Sequence, residues 1–157
     1  MLRITELIYG DCVATESVSL PFDLRQKSRL RTNLDSGVDA AFLLPPGSNM
    51  RGGTCLRAED GRVIKIYAAA EHLVTASTTD TLLWARACYH LGNRHVPLQI
   101  GEGWVRFAFD HVLKNLVEEM GLRVKEEHVP FEPENGAYTT HASHHAHPHP
   151  ADANDAF

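Results

Sequence analysis

Near residue 70 the hydrophobic pattern of this chain changes period, so its 157 residues do not fold as one repeating architecture. Before that point, short apolar runs are cut every few residues by turn formers. After it, apolar residues recur at the three-and-four spacing of amphipathic helices. The early runs are Leu2 to Leu7, Val13 to Pro21, Phe22 to Leu34, Val38 to Leu44, Thr54 to Ala58 and Val63 to Ala69. Pro45-Pro46-Gly47 and Gly52-Gly53 punctuate them, and Asp60-Gly61 joins the last two runs as a hairpin. Residues 1–70 are therefore expected to form a small all-β domain. Within it Arg25, Lys27, Arg29 and Arg31 alternate with other residues, which in a strand puts four cations on one face. That face either meets water or docks an acidic partner protein.

From His72 to Ser77 the pattern is that of a strand, and Ser77-Thr-Thr-Asp80 has the form of a capping box opening a helix that ends at Gly92-Asn93. Val96 to Ile100 is extended, and Gly101-Glu102-Gly103 turns it back into Trp104 to Phe109. Phe109, Val112, Leu113, Leu116, Val117 and Met120 then share one helical stripe that stops at Gly121, before a last strand from Leu122 to Pro130. The order βαββαβ over residues 71–138 predicts a ferredoxin-like domain. The whole chain is thus read as α+β.

Residues 139–157 carry no apolar periodicity, hold two prolines, and are expected to be a disordered tail. Their composition is unusual: five of the ten histidines, His141, His144, His145, His147 and His149, fall within nine residues. Neutral imidazole suits nickel, copper, zinc and iron, so this tail is a metal-capturing segment. Ligands tethered beside one another bind at high effective concentration, while the absence of a rigid frame keeps exchange easy.

Charge and cysteine content narrow the function classes. Residues 1–71 carry nine basic and nine acidic side chains, and residues 72–157 six against eleven, so the net charge of −5 resides in the second half. Nucleic-acid binding, which demands a basic footprint, is not expected. No run approaches the length of a membrane span, and Glu6 and Asp11 interrupt the first residues before a signal-like stretch forms, so a cytoplasmic protein is expected. Cys12, Cys55 and Cys88 are odd in number and include no Cys-x-x-Cys, which predicts neither a disulfide framework nor a thiolate zinc knuckle.

Among the histidines before the tail, His90 and His95 are five apart across a helix stop, unlike the i, i+4 pair of a hydrolytic zinc motif. His111 follows Asp110 at the start of the second helix, off the apolar stripe. His95 sits in the loop Gly92-Asn93-Arg94-His95, where a tight turn presents its ring outward.

Tyr89-His-Leu-Gly-Asn-Arg-His-Val-Pro-Leu-Gln99 resembles the signature segment of the UreE family, the urease accessory nickel chaperones. Leu44-Pro-Pro-Gly47, Arg51-Gly-Gly53, Asp110-His-Val-Leu113, Pro130-Phe-Glu-Pro-Glu-Asn-Gly-Ala-Tyr138 and the histidine tail extend the resemblance over essentially the whole chain. It implies a non-enzymatic metallochaperone: a homodimer holding Ni²⁺ between two copies of His95 and passing it to the urease accessory GTPase, UreG, and through that complex to apo-urease. Tail histidines such as His144 or His145 would complete the site. Some family members carry a further histidine where this chain has Phe109, which leaves Asp110 and His111 to form a weaker second site. The residues alone do not choose nickel over Zn²⁺ or Cu²⁺. A passive metal buffer working through the tail, a metal-dependent hydrolase using His90, His95 and Asp110, and a protein-interaction adaptor are the competing readings.

Overall fold

A computed structural model describes residues 1–136, which form two sheets joined end to end. In the first, strands β1 (Leu2–Ile8), β2 (Glu16–Leu20), β3 (Arg29–Asn33), β4 (Asp39–Leu43), β5 (Cys55–Ala58) and β6 (Val63–Ala68) lie in the order β2-β6-β5-β1-β4-β3. β1 runs parallel to β4 and β2 parallel to β6, while the other pairings are antiparallel. The Asp60-Gly61 hairpin is present between β5 and β6. Ile4, Val18, Phe42, Leu56, Ile64 and Ile66 form a buried apolar core.

Two expectations for this region are corrected. Phe22 to Leu34 is not one strand: Phe22–Arg25 is a short helix, α1, and only Arg29–Asn33 is extended. Pro21 stands at its N-cap, where its fixed φ of −67° suits helix entry. The second correction is that Cys12 and Cys55 are joined by a disulfide, with their Cα atoms 6.5 Å apart. The pairing of Ile8 with Cys55 across β1 and β5 brings the segment that follows β1 back over β5, a proximity that a separation of 43 positions conceals in the sequence.

The second sheet comprises β7 (Ala70–Ser77), β8 (Gln99–Gly101), β9 (Trp104–Ala108) and β10 (Arg123–Pro130), in the antiparallel order β10-β7-β9-β8. Helices α2 (Thr81–Gly92) and α3 (His111–Glu119) share one core with it. Leu83, Ala87 and Leu91 of α2, four apart, and Leu113, Leu116 and Val117 of α3 meet Val74, Ala76, Val105 and Phe107 of the strands. The indole N–H of Trp84 donates to the Trp104 carbonyl at 3.1 Å, fastening α2 to β9.

The cap of α2 differs from expectation. Asp80, not Ser77, is the N-cap, and its Oδ1 accepts from the backbone N–H groups of Leu82 and Leu83 at 2.9 and 3.1 Å. Ser77 is committed to β7, paired with Arg123 and Trp104, so the helix is capped three residues later. Phe109 likewise does not belong to the buried stripe of α3. It precedes the N-cap Asp110, is 42% exposed, and stacks on His72 with ring centroids 4.4 Å apart. Its N–H donates to the His72 carbonyl, continuing the β7–β9 ladder by one residue beyond the strand.

After β10 the chain returns to the first sheet. Phe131 is buried and meets Phe22 edge-on at 5.6 Å. Arg25, fully buried, donates to Glu132 Oε1 at 2.7 Å, to the carbonyls of Leu20 and Met50, and to the carbonyl of Phe131. Glu132 also accepts from the N–H of Gly52 at 2.8 Å, and a Cβ at Gly52 would lie 2.9 Å from that same carboxylate oxygen. A side chain there would push the Glu132 carboxylate off this N–H and away from Arg25. Burial pulls the Arg25 pKa below its ordinary value, against the opposing pull of Glu132 and Glu71.

Candidate metal centre

The loop after α2 is built by successive turns. Asn93 donates to the Tyr89 carbonyl, Arg94 to that of Leu91, and His95 to that of Gly92 at 3.0 Å. The Arg94 guanidinium reaches back to the His90 carbonyl at 2.9 Å. This winding carries His95 to φ of +56°, and it is the one non-glycine residue with positive φ among those described. The left-handed region is sparsely used by L-residues and costs on the order of 1–3 kcal/mol when a side chain is held in it. Here the strain lifts an imidazole out of the fold: His95 is exposed, and no described side chain bonds its ring.

His95 lies on the rim of a cavity of about 480 Å³. Phe22 and Gln26 of the first sheet's connection line it, with Cys88 of α2, Pro97 and Ile100 of the following segment, and Glu134 and Gly136. Gly136, the last described residue, lines the same cavity as His95. Burial pushes the Cys88 thiol up, disfavouring the thiolate that a metal would need.

The remaining candidates are dispersed. His111 is exposed at the first position of α3 and faces a separate cavity with Arg94, Asn115 and Glu119. Its neighbour Asp110 is engaged as a cap, Oδ1 accepting from Val112 and Leu113 at 2.8 and 3.0 Å. The positive end of the helix dipole and the Arg94 guanidinium both oppose a cation there. His90 is exposed and packs edge-on against Tyr89. Among the described residues no three His, Cys, Asp or Glu side chains are gathered into a ligand cluster. His141, His144, His145, His147 and His149 lie outside the described residues.

The proposed row of four cations is not one surface. Arg25 is inside the protein, Lys27 is exposed in the connection after α1, and only Arg29 and Arg31 share a face of β3. Arg31 is paired with Asp39 through two hydrogen bonds at 3.0 and 3.1 Å. The helix that breaks the run rotates Arg25 inward, where Glu132 awaits it; no alternation in the sequence announces that partner, 107 residues away.

Comparison with known proteins decides the family. Residues 6–69 match the family model described as UreE urease accessory protein, N-terminal domain, and residues 71–155 match that of the C-terminal domain. This chain belongs to the UreE family. The urease accessory protein UreE of Alkalilimnicola ehrlichii is 50% identical over 138 residues, covering 88% of this chain and 85% of that protein. UreE of Citrobacter koseri is 45% identical, covering 95% and 100%, and UreE of Vibrio parahaemolyticus is 47% identical, covering 92% and 99%. The two-domain UreE architecture, a sheet-rich first domain followed by a mixed α+β one, is the arrangement described above. Among the described residues no helix is long and apolar enough to cross a membrane.

Proposed function

We propose that this chain is a cytoplasmic nickel metallochaperone that carries Ni²⁺ to the urease maturation machinery and catalyses no reaction itself. The observation that carries this reading is the strained, exposed His95 on the rim of a cavity that Gly136, the last described residue, also lines. One imidazole per chain does not retain a divalent ion, and the described residues supply no cluster to help it. A homodimer doubles the ligand set about its axis, and tail histidines such as His144 and His145 can reach the positions the two His95 rings leave open. Exposed Tyr89 and Ile100, close to His95 in sequence, give such a dimer apolar surface to bury.

On this reading residues 1–70 form the partner-binding domain and residues 71–138 the metal-binding and dimerising domain. The strand order β10-β7-β9-β8 with two helices on one core supports a ferredoxin-like description of the second. Residues 139–157, outside the described residues, are the metal-collecting segment on this reading. Its His141, His147 and His149 exchange ions easily, and Zn²⁺ or Cu²⁺ compete with nickel there. The acceptors are the accessory GTPase UreG and, through its complex, apo-urease. Lys27 and Arg29 remain the cations available for an acidic partner, Arg31 being held by Asp39, and His111 a weak additional ligand. Transfer proceeds by ligand exchange, imidazoles being replaced one at a time.

The test is nickel titration by calorimetry, paired with nickel-dependent urease activation in a strain lacking the native chain. His95→Ala is expected to abolish the tight site and leave weaker tail binding, while removal of residues 139–157 leaves one tight ion per dimer. Tight binding unchanged by His95→Ala would reject the site. Complete loss of tight binding with the tail alone would make the protein a passive buffer.

A further inference from the structure

The antiparallel pairing of β7 with β10 sets His72 directly opposite His128. Directly opposed residues on an antiparallel pair have Cβ atoms about 4.5–5.5 Å apart and project from the same face. The two imidazoles are accordingly side by side, their centroids 6.2 Å apart and their planes 22° from parallel, and both residues are exposed. His72 is fixed from two further directions. The Phe109 ring stacks on it at 4.4 Å and 8°, and its Nε2 lies 3.0 Å from Glu126 Oε2. Glu126 is itself anchored by Lys114 Nζ at 2.7 Å. His111 and His95 take no part in this arrangement.

We propose that His72 and His128 form a separate site for a divalent transition-metal ion on each protomer, with Glu126 as the carboxylate that orients His72. Ligating imidazoles commonly donate their second ring N–H to a carboxylate, which fixes the tautomer and raises ligand basicity. With Glu126 accepting from Nε2–H, the lone pair of His72 stays on Nδ1, available to the ion. Two neutral nitrogens without a thiolate suit a borderline ion such as Cu²⁺, Ni²⁺ or Zn²⁺, with water completing its coordination. The sheet fixes the register of the two residues, and Phe109 and Glu126 hold the His72 ring, so binding has mainly the His128 ring to order. The site does not rest on the chaperone reading, since neither the dimer nor the tail contributes a ligand.

The experiment uses the full-length chain with His95 and the five tail histidines replaced by alanine, titrated with Cu²⁺ by calorimetry and by the nitrogen hyperfine pattern in electron paramagnetic resonance. One Cu²⁺ per protomer with two nitrogen ligands is expected. His72→Gln or His128→Gln should each weaken it by at least the roughly tenfold that even an outer-shell loss costs a metal site. Glu126→Gln should weaken it by about tenfold with both nitrogens retained. His90→Gln should leave it unchanged. Absence of stoichiometric binding, or binding lost with His111→Gln and retained in His72→Gln and His128→Gln, would overturn the proposal. Nickel-dependent urease activation by the otherwise native chain carrying His128→Gln separates the two ideas, because failure of this site leaves transport through His95 intact.

Discussion

Arg25 and His95 are two polar side chains treated in opposite ways by one fold. Arg25 is fully buried, and its guanidinium is met by a carboxylate and three backbone carbonyls. His95 is exposed, in strained backbone, with a ring that no described side chain bonds. A charge kept for structure has its hydrogen-bonding capacity filled, because a buried unpaired charge is among the costliest things a fold can contain. A group kept for exchange must hold capacity in reserve. The contrast teaches where to look for function in this chain: at the residue the fold strains to expose, not at the one it surrounds.

The comparison breaks most visibly at Arg25. Arg25→Met removes the cation between the first sheet and residues 131–132, leaving the Glu132 carboxylate with Arg51, 3.3 Å away, and the Gly52 N–H. A loss of about 3 kcal/mol is expected, the range for breaking a buried pair from one side. Urea denaturation followed by circular dichroism measures it, and a loss below about 1 kcal/mol would mean that Arg51 takes over the pairing.

His95→Gly sharpens the other arm, and its direction is opposite. Glycine occupies positive φ without the Cβ penalty, so the variant should gain about 1 kcal/mol of stability while losing the tight metal site. His95→Ala removes the imidazole but keeps the Cβ, and should bind as poorly with no such gain. Equal stability of the two variants in the same urea titration would show that φ of +56° is not a source of strain.

How much of this was legible beforehand follows from the same physics. Periodicity and turn residues carry the two domains, the Asp60-Gly61 hairpin and the βαββαβ order, since these are encoded locally. The His90–His95 segment is also local, and its loop is where the reading expected. What escaped depends on distant partners. Arg25 reads as one of an alternating row until Glu132 is known to lie beside it. Cys12 and Cys55 are unremarkable until β1 and β5 pair. Phe109 fits the helical stripe by spacing, yet its backbone extends the β7–β9 ladder and its ring goes to His72. The His72–His128 pair is invisible without the register of β7 and β10, because the two residues are 56 positions apart in the chain.

The smallest effect tests whether saturation of a charge is visible even at the surface of a sheet. Glu127 accepts from Thr75 Oγ1 at 2.7 Å and pairs with Arg106 Nη2 and Lys125 Nζ at 3.0 and 2.8 Å. Those partners, led by the hydrogen bond from Lys125 and then that from Thr75, hold its carboxyl down at about 2. A carboxylate with a lowered native pKa contributes stability that is present above its unfolded value and lost as pH falls through the native one. The contribution of Glu127 should therefore be intact above about pH 4.5 and disappear between there and about pH 2. Glu127→Gln removes the titrating group, so its stability should fall less steeply with acid over that window than that of the native chain, with the two curves nearly parallel above it. Parallel curves throughout the window would mean that Lys125 and Arg106 are held to Glu127 too loosely to fix its charge.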